Sequence, residues 1–296
     1  NTQSSGTNAP NGVIVRFYQK AKAAKELELE FLNDKNESII KYSSVKNTKG
    51  EPQKVAKEFH QDTEKEKAGY VPNKVGMNVF VWNMRYPNAT EVEGTNVMWA
   101  GSGVGAKVLP GMYKVRFIED KKIIGEQTFD IKKDPRAEGT DADLKEQFEF
   151  HQKVNKKVNE AHLAINKIRK IKGQINSYVG AVKDSVMVKE MKKMAEPTIK
   201  SLEELEATLM QPKAKAPQDV LAYPIMLNDK MAGLGSNVSS GDTKPTKGAY
   251  EVYDDLAKKI DIAVAKVNEI ATVKVPEFNA FIQQKQIPAI VIEDKR

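Results

Sequence analysis

The sequence contains no cysteine. That excludes disulfide staples, thiolate metal ligands and a cysteine nucleophile together, and it leaves the redox compartment open. Histidine is nearly as scarce: His60, His151 and His162 are the only three. A Ser-His-Asp triad therefore has little to draw on, and no G-x-S-x-G elbow occurs to present a serine. The metalloprotease signature H-E-x-x-H is missing as well; NEAH, residues 159–162, comes nearest and carries one histidine. No apolar run approaches the roughly 20 residues that a helix needs to cross a bilayer, so no membrane span is expected. Residues 1–12 (NTQSSGTNAPNG) lack the apolar core of a signal peptide. They read as a linker, which leads us to expect a piece of a longer chain.

What is present is ordinary for a folded protein. Hydrophobic residues make up 40% and charged residues 29%, a balance that argues against wholesale disorder. At 296 residues the chain has room for two domains, each with its own core. The formal charge is +7, spread thinly: residues 1–135 hold 21 Lys/Arg and 17 Asp/Glu, the remainder 26 and 23. Basic pairs such as Lys156-Lys157 and Arg169-Lys170 lack the interleaved aromatics that stack bases, so no nucleic-acid partner is expected.

From residue 13 to 132 the hydrophobic period is two. VIVRFY (13–18) reads as a strand; ELELEFL (26–32) puts Leu27, Leu29 and Phe31 inward and its glutamates outward. NDKN (33–36) supplies a turn before SIIKYS, predicting a hairpin. The highly charged stretch 46–74, which includes His60, reads as a surface excursion. FVWNMRYP (80–87) predicts a strand with Phe80, Trp82, Met84 and Tyr86 on one face, ended by Pro87. Residues 88–109 read as irregular. Pro110-Gly111 reads as a turn into a strand with Tyr113, Val115 and Phe117 inward, and Lys121-Lys122 as a bend into the last strand. Six or seven short antiparallel strands suggest a β-sandwich.

At Asp134-Pro135 the period changes to that of a helix. Thr140 and Asp143 resemble a capping box ahead of an apolar stripe at Leu144, Phe148, His151, Val154, Val158, Ala161, Ile165 and Ile168. A second helix is expected from about residue 184 to 210, with Met191, Met194, Leu202, Leu205 and Leu209 on its stripe and a kink or restart at Pro197. Residues 219–235 look like a short broken helix with a Gly-rich end. Ala249, Tyr253, Leu256, Ile260, Ala263, Val267 and Ile270 alternate spacings of four and three, the seam of an antiparallel bundle.

Chemistry-bearing patterns are sparse. His151 and His162 lie eleven residues, about 16 Å, apart on one helix and cannot share a metal. GSGVGA (101–106) matches a loose dinucleotide fingerprint, but turn and strand follow it where a helix N-terminus should; it reads as a flexible loop between strands. Glu203, Glu204 and Glu206, or Asp254 with Asp255, supply adjacent acids beside apolar seams, where charge ordinarily marks the wet face. SGDTKPTK (240–247) is a degenerate Asp-box with Lys244 and Lys247 in place of Gly and Trp, and a single copy in a helical half builds no propeller blade.

MNVFVWNMRYP, LPGMYKVRF, DPRAEGTDADLKEQFEF and AINKIRKIKGQI, in this order, resemble the C-terminal region of secreted bacterial sortilin-like or BNR-repeat β-propeller proteins assigned as glycosyl hydrolases. The resemblance runs from about Val13 to Phe281. It implies an immunoglobulin-like domain and a helical tail downstream of a propeller that would hold any hydrolytic centre, and hence a secreted, periplasmic or cell-surface location. It carries over no catalytic, metal or cofactor residue. The matching residues Trp82, Arg85, Pro87, Pro110, Gly111, Tyr113, Asp134, Pro135 and Arg136 read as structural: Trp82 and Tyr113 as core anchors with Tyr86, and Asp134-Pro135-Arg136 as the joint between domains.

The expected architecture is α+β in two domains: a linker (1–12), an immunoglobulin-like antiparallel β-sandwich (13–135) and an antiparallel α-helical bundle (136–296). The expected role is a non-catalytic scaffold or interaction region whose partner is the upstream propeller. A rival reading is a carbohydrate-binding or hydrolytic unit with a cleft between the halves, lined from Tyr178, Tyr223, Tyr250, Trp99 and Phe278. A third is homodimerisation through the last helix's seam.

Overall fold

In a computed structural model, which describes residues 11–45 and 70–287, the chain is α+β. Six strands, β1 (Val13–Gln19), β2 (Leu27–Leu32), β3 (Ser38–Ser43), β4 (Gly76–Trp82), β5 (Gly111–Glu119) and β6 (Lys122–Ile131), form two antiparallel sheets. One has the order β1-β4, the other β3-β2-β5-β6. They are followed by helices α1 (Asp141–Ala181), α2 (Ser185–Leu209), α3 (Leu227–Val238), α4 (Lys247–Glu269) and α5 (Val275–Gln284). The chain divides into two compact units. Residues 1–88, 104–149 and 242–244 make the first; Ala89–Gly103, 150–241 and 245–296 make the second.

In the first unit the period-two pattern does what it should. Leu27, Leu29 and Phe31 are almost wholly buried, and β2 pairs with β3 on one side and β5 on the other. Trp82 has no exposed surface; it stacks on Phe31 with ring centroids 4.3 Å apart and donates its Nε1–H to the Arg85 carbonyl. The strand FVWNMRYP ends earlier than its sequence suggests. Met84 takes a left-handed φ of 58°, so ladder pairing with β1 stops at Trp82, five residues before Pro87. Met84 and Tyr86 still pack against the core. Tyr113 is buried and donates its hydroxyl to the Leu109 carbonyl at 2.6 Å, while burial pushes its pKa up to about 12. Pro110 bends the chain, and Gly111 is already the first residue of β5. Asp134, Pro135 and Arg136 form a tight local unit: Arg136 grips the Asp134 carboxylate at 2.7 Å and holds its pKa down to about 2. Of the charged excursion, residues 46–69 with His60 lie outside the described residues. Its end is no surface loop, since Val71 is buried and bonded to Ser43.

The 41-residue α1 starts on the expected capping box: Asp143 N–H donates to the Thr140 hydroxyl, and Thr140 N–H to the Asp143 carboxylate. Within the second unit, α1 supplies Val154, Val158, Ala161, Ile165 and Ile168 to a core shared with Leu202 and Leu209 of α2, with α3, and with the whole α4 seam. Because that seam is buried inside the chain's own core, it offers no face for a homodimer. α2 begins at an Asp184 N-cap and runs unbroken through Pro197, against the expected restart; Met194 is the one member of its stripe that stays exposed. The Gly-rich end of the expected broken helix is instead continuous α3, preceded by a 3-10 turn at Pro217–Leu221. Between α4 and α5 the turn widens to a π-helix, Ile270–Lys274, with Val275 N–H reaching back to the Ile270 carbonyl. Pro276 explains it: the proline lacks an N–H and crowds the preceding turn, and a wider turn makes room.

Candidate functional site

The densest buried polar constellation lies in the second unit, around residues 89–103. They form a closed loop, because Ala89 N–H donates to the Gly103 carbonyl at 2.8 Å and ties its ends together. A row of polar side chains on α1 holds this strap by its backbone. Asn155 donates to the Gly103 carbonyl; Asn159 accepts from Thr90 N–H at 2.8 Å; Asn166 accepts from Glu93 N–H and donates to the Glu91 carbonyl. Arg169 donates to the Glu93 and Thr95 carbonyls. With His162 the row reads 155, 159, 162, 166, 169, each residue one position after a member of the apolar stripe. At 100° per residue it therefore runs alongside the core-facing seam for its whole length.

His162 is buried and engaged at both ring nitrogens. Nδ1 lies 2.6 Å from the Thr90 carbonyl, which fixes the proton there, and Nε2 then accepts from the Asn228 amide. Burial pulls its pKa below the ordinary histidine value, against a smaller upward push from the Thr90 bond. Glu206, also buried, pairs with Arg169 at 2.7 Å and with Lys172 at 3.2 Å. Asp229, in the first turn of α3, is 2% exposed, and its carboxylate accepts the N–H groups of Trp99, Ala100 and Gly101.

Gly101 lets the strap come this close. A Cβ there would sit 2.3 Å from the Ala232 backbone, and one on Gly233 would meet the Ala100 methyl at 2.7 Å. The GSGVGA stretch is thus neither a dinucleotide loop nor a free connection between strands: its first glycine belongs to a packed contact. Sequence reasoning missed the strap. The signal was the polar row at alternating spacings of four and three.

The remaining candidates are dispersed. His151 and His162 occupy separate surroundings, and among the described residues no group of three or more His, Cys, Asp or Glu is placed to hold a metal. Glu203 pairs with Lys172, Asp255 with Lys259. Glu204 lines a groove of about 640 Å³ between α2 and the α4–α5 junction, with Ser201, Lys266, Glu269 and Phe278 among its walls. Of the aromatics, Tyr250 packs on Phe150, Tyr178 and Phe278 join a small apolar cluster, and Trp99 and Tyr223 are exposed. No family model, no curated protein and no solved structure matches the chain.

Proposed function

We propose that the chain is a non-catalytic scaffold and interaction region, an immunoglobulin-like β-sandwich followed by a helical bundle, belonging to a larger secreted β-propeller protein. The four-motif resemblance supports the propeller and the secreted setting. Trp82 in the core of the sheets, and Tyr113 bonded through its hydroxyl to a carbonyl four residues upstream, support the immunoglobulin-like reading.

One observation carries the non-catalytic part. Among the described residues no buried side-chain nitrogen or oxygen lacks a hydrogen-bond partner, and the inward-facing acids and His162 spend their bonds on the strap or on ion pairs. Catalytic acids and bases need lone pairs or protons directed at a substrate. Incubation of the purified chain with aryl glycosides and peptides is expected to yield no turnover. Turnover abolished by Glu204→Gln or Glu206→Gln would refute the proposal.

Glycan binding is a second reading, favoured by Trp99. The residue is 63% exposed while its backbone is clamped by Asp229, which presents an aromatic side chain of the kind on which sugars stack. A glycan screen with a hit weakened by Trp99→Ala supports this reading; silence across the array removes it.

A further inference from the structure

The two sheets of the first unit differ in what they show to solvent. On the four-stranded sheet charges of both signs face outward and several pair: Arg116 bridges Glu30 and Glu126, Lys114 also meets Glu126, and Lys41 meets Glu28. The strands of the β1–β4 sheet contain no acid. Its register places Arg16 beside Val79 and Tyr18 beside Met77 on the face turned away from the core. Tyr18, Met77 and Val79 are 66%, 64% and 53% exposed, and Val75 just before β4 is 66% exposed. Strand β4 is apolar on both faces, a pattern expected of a strand covered on both sides.

Among the described residues, the charges that strands β1 and β4 and their flanks bring to this apolar face are of one sign. Residues 13–25 and 70–87 contain Arg16, Lys20, Lys22, Lys25, Lys74 and Arg85, and no Asp or Glu. Arg16, Lys20, Lys22 and Lys74 are all exposed, and none of the four is ion-paired among the described residues. Among the described residues acids return at the border, where Asp120 accepts the N–H groups of Lys25 and Glu26.

The tip is also held in shape from beneath. Buried Asn78 donates to the Lys74 and Gly76 carbonyls and to the Gln19 side chain, and accepts from Lys74 N–H. Asn73 accepts from Ala23 N–H and the Gln19 amide. These bonds fix the turn before β4 to the end of β1, so that Val75 and Met77 stand outward and are not drawn into the core.

We propose that this end of the β1–β4 sheet docks on an anionic phospholipid surface. Tyr18, Val75 and Met77 enter the headgroup boundary, and Arg16, Lys20, Lys22 and Lys74 meet the lipid phosphates. Charge complementarity selects the occupant: among the described residues this surface has four unpaired cations and no acid, which favours a negative plane, and apolar side chains among them add burial that a soluble anion does not supply.

The test is sedimentation of the full chain with vesicles of phosphatidylcholine alone and vesicles enriched in phosphatidylglycerol. Binding is expected to the anionic vesicles only and to fall as salt rises. Each lysine reversed among Lys20→Glu, Lys22→Glu and Lys74→Glu is expected to weaken it about fivefold or more. Val75→Ser with Met77→Ser is expected to weaken it with the melting temperature unchanged, since both side chains are already in water. Absence of binding to anionic vesicles, or binding undiminished in the charge-reversed chain, overturns the proposal. So does a doubled mass in light scattering that Met77→Ser abolishes, which would assign the face to a second copy.

Discussion

His162 shows how a residue that looks functional is spent on structure. With its proton on Nδ1 and facing the Thr90 carbonyl, its Nε2 can only accept, and Asn228 is the donor that meets it. A second proton on Nε2 would oppose that amide, whose own oxygen is already taken by Asp229 N–H. Burial accordingly lowers the folded-state pKa. The unfolded chain takes up a proton near pH 6.5 and the folded one resists it, so stability is full above that pH and declines as pH falls through about 6.5 toward the depressed folded value. Thermal melts of His162→Gln, which keeps an acceptor but does not titrate, are expected to show a shallower decline below pH 6.5 than the parent. Parallel curves would place His162 outside the strap's energetics.

At the scale of elements, the strap is the feature that pattern reading does not reach. Strands β2 and β5 were legible because Leu27, Leu29, Phe31, Tyr113 and Val115 meet other side chains, and side-chain burial leaves a period. The strap is recognised through its backbone N–H and C=O groups, which every residue carries, so residues 89–103 look irregular. Its imprint falls on the partner helix, as Asn155, Asn159, His162, Asn166 and Arg169. Met84 was illegible for another reason: a left-handed residue after Trp82 is set by what the chain must do next, and local propensity does not encode it. The close approach of strap to α3 makes a steric prediction. Gly101→Ala drives a methyl against the Ala232 backbone, which no rotamer change relieves, and is expected to cost about 2 kcal/mol or more in denaturant unfolding followed by helical signal. Gly125→Ala, where a methyl meets nothing within 4 Å, is the matched control and is expected to be near neutral. Equal effects at both sites would remove the packing argument.

At the scale of the molecule, the helical unit is not contiguous in sequence. It takes Ala89–Gly103 from between β4 and β5. A chain cut to residues 136–296, the boundary suggested by the change of period, lacks the strap, strands Asp229, His162 and Arg169 without their backbone partners and leaves Asn228 without the Asn96 side chain. Unsatisfied buried polar groups cost about 1–3 kcal/mol each, so this fragment is expected to melt without cooperativity or well below the full chain. A fragment as stable as the intact protein would mean the strap is dispensable. The candidate site was legible only as a set of negatives: no cysteine, three histidines, dispersed acids. What those polar residues do instead became visible once the helix row and the loop were placed together.

The conspicuous polar side chains of the helical unit are thus consumed in holding this loop. Amide hydrogen exchange at Thr90, Glu93, Trp99, Ala100 and Gly101 measures it most directly. Protection comparable to the core helices is expected, lost at Trp99, Ala100 and Gly101 when Asp229 is replaced by alanine. Exchange at the rate of exposed peptide groups in the parent chain would contradict it.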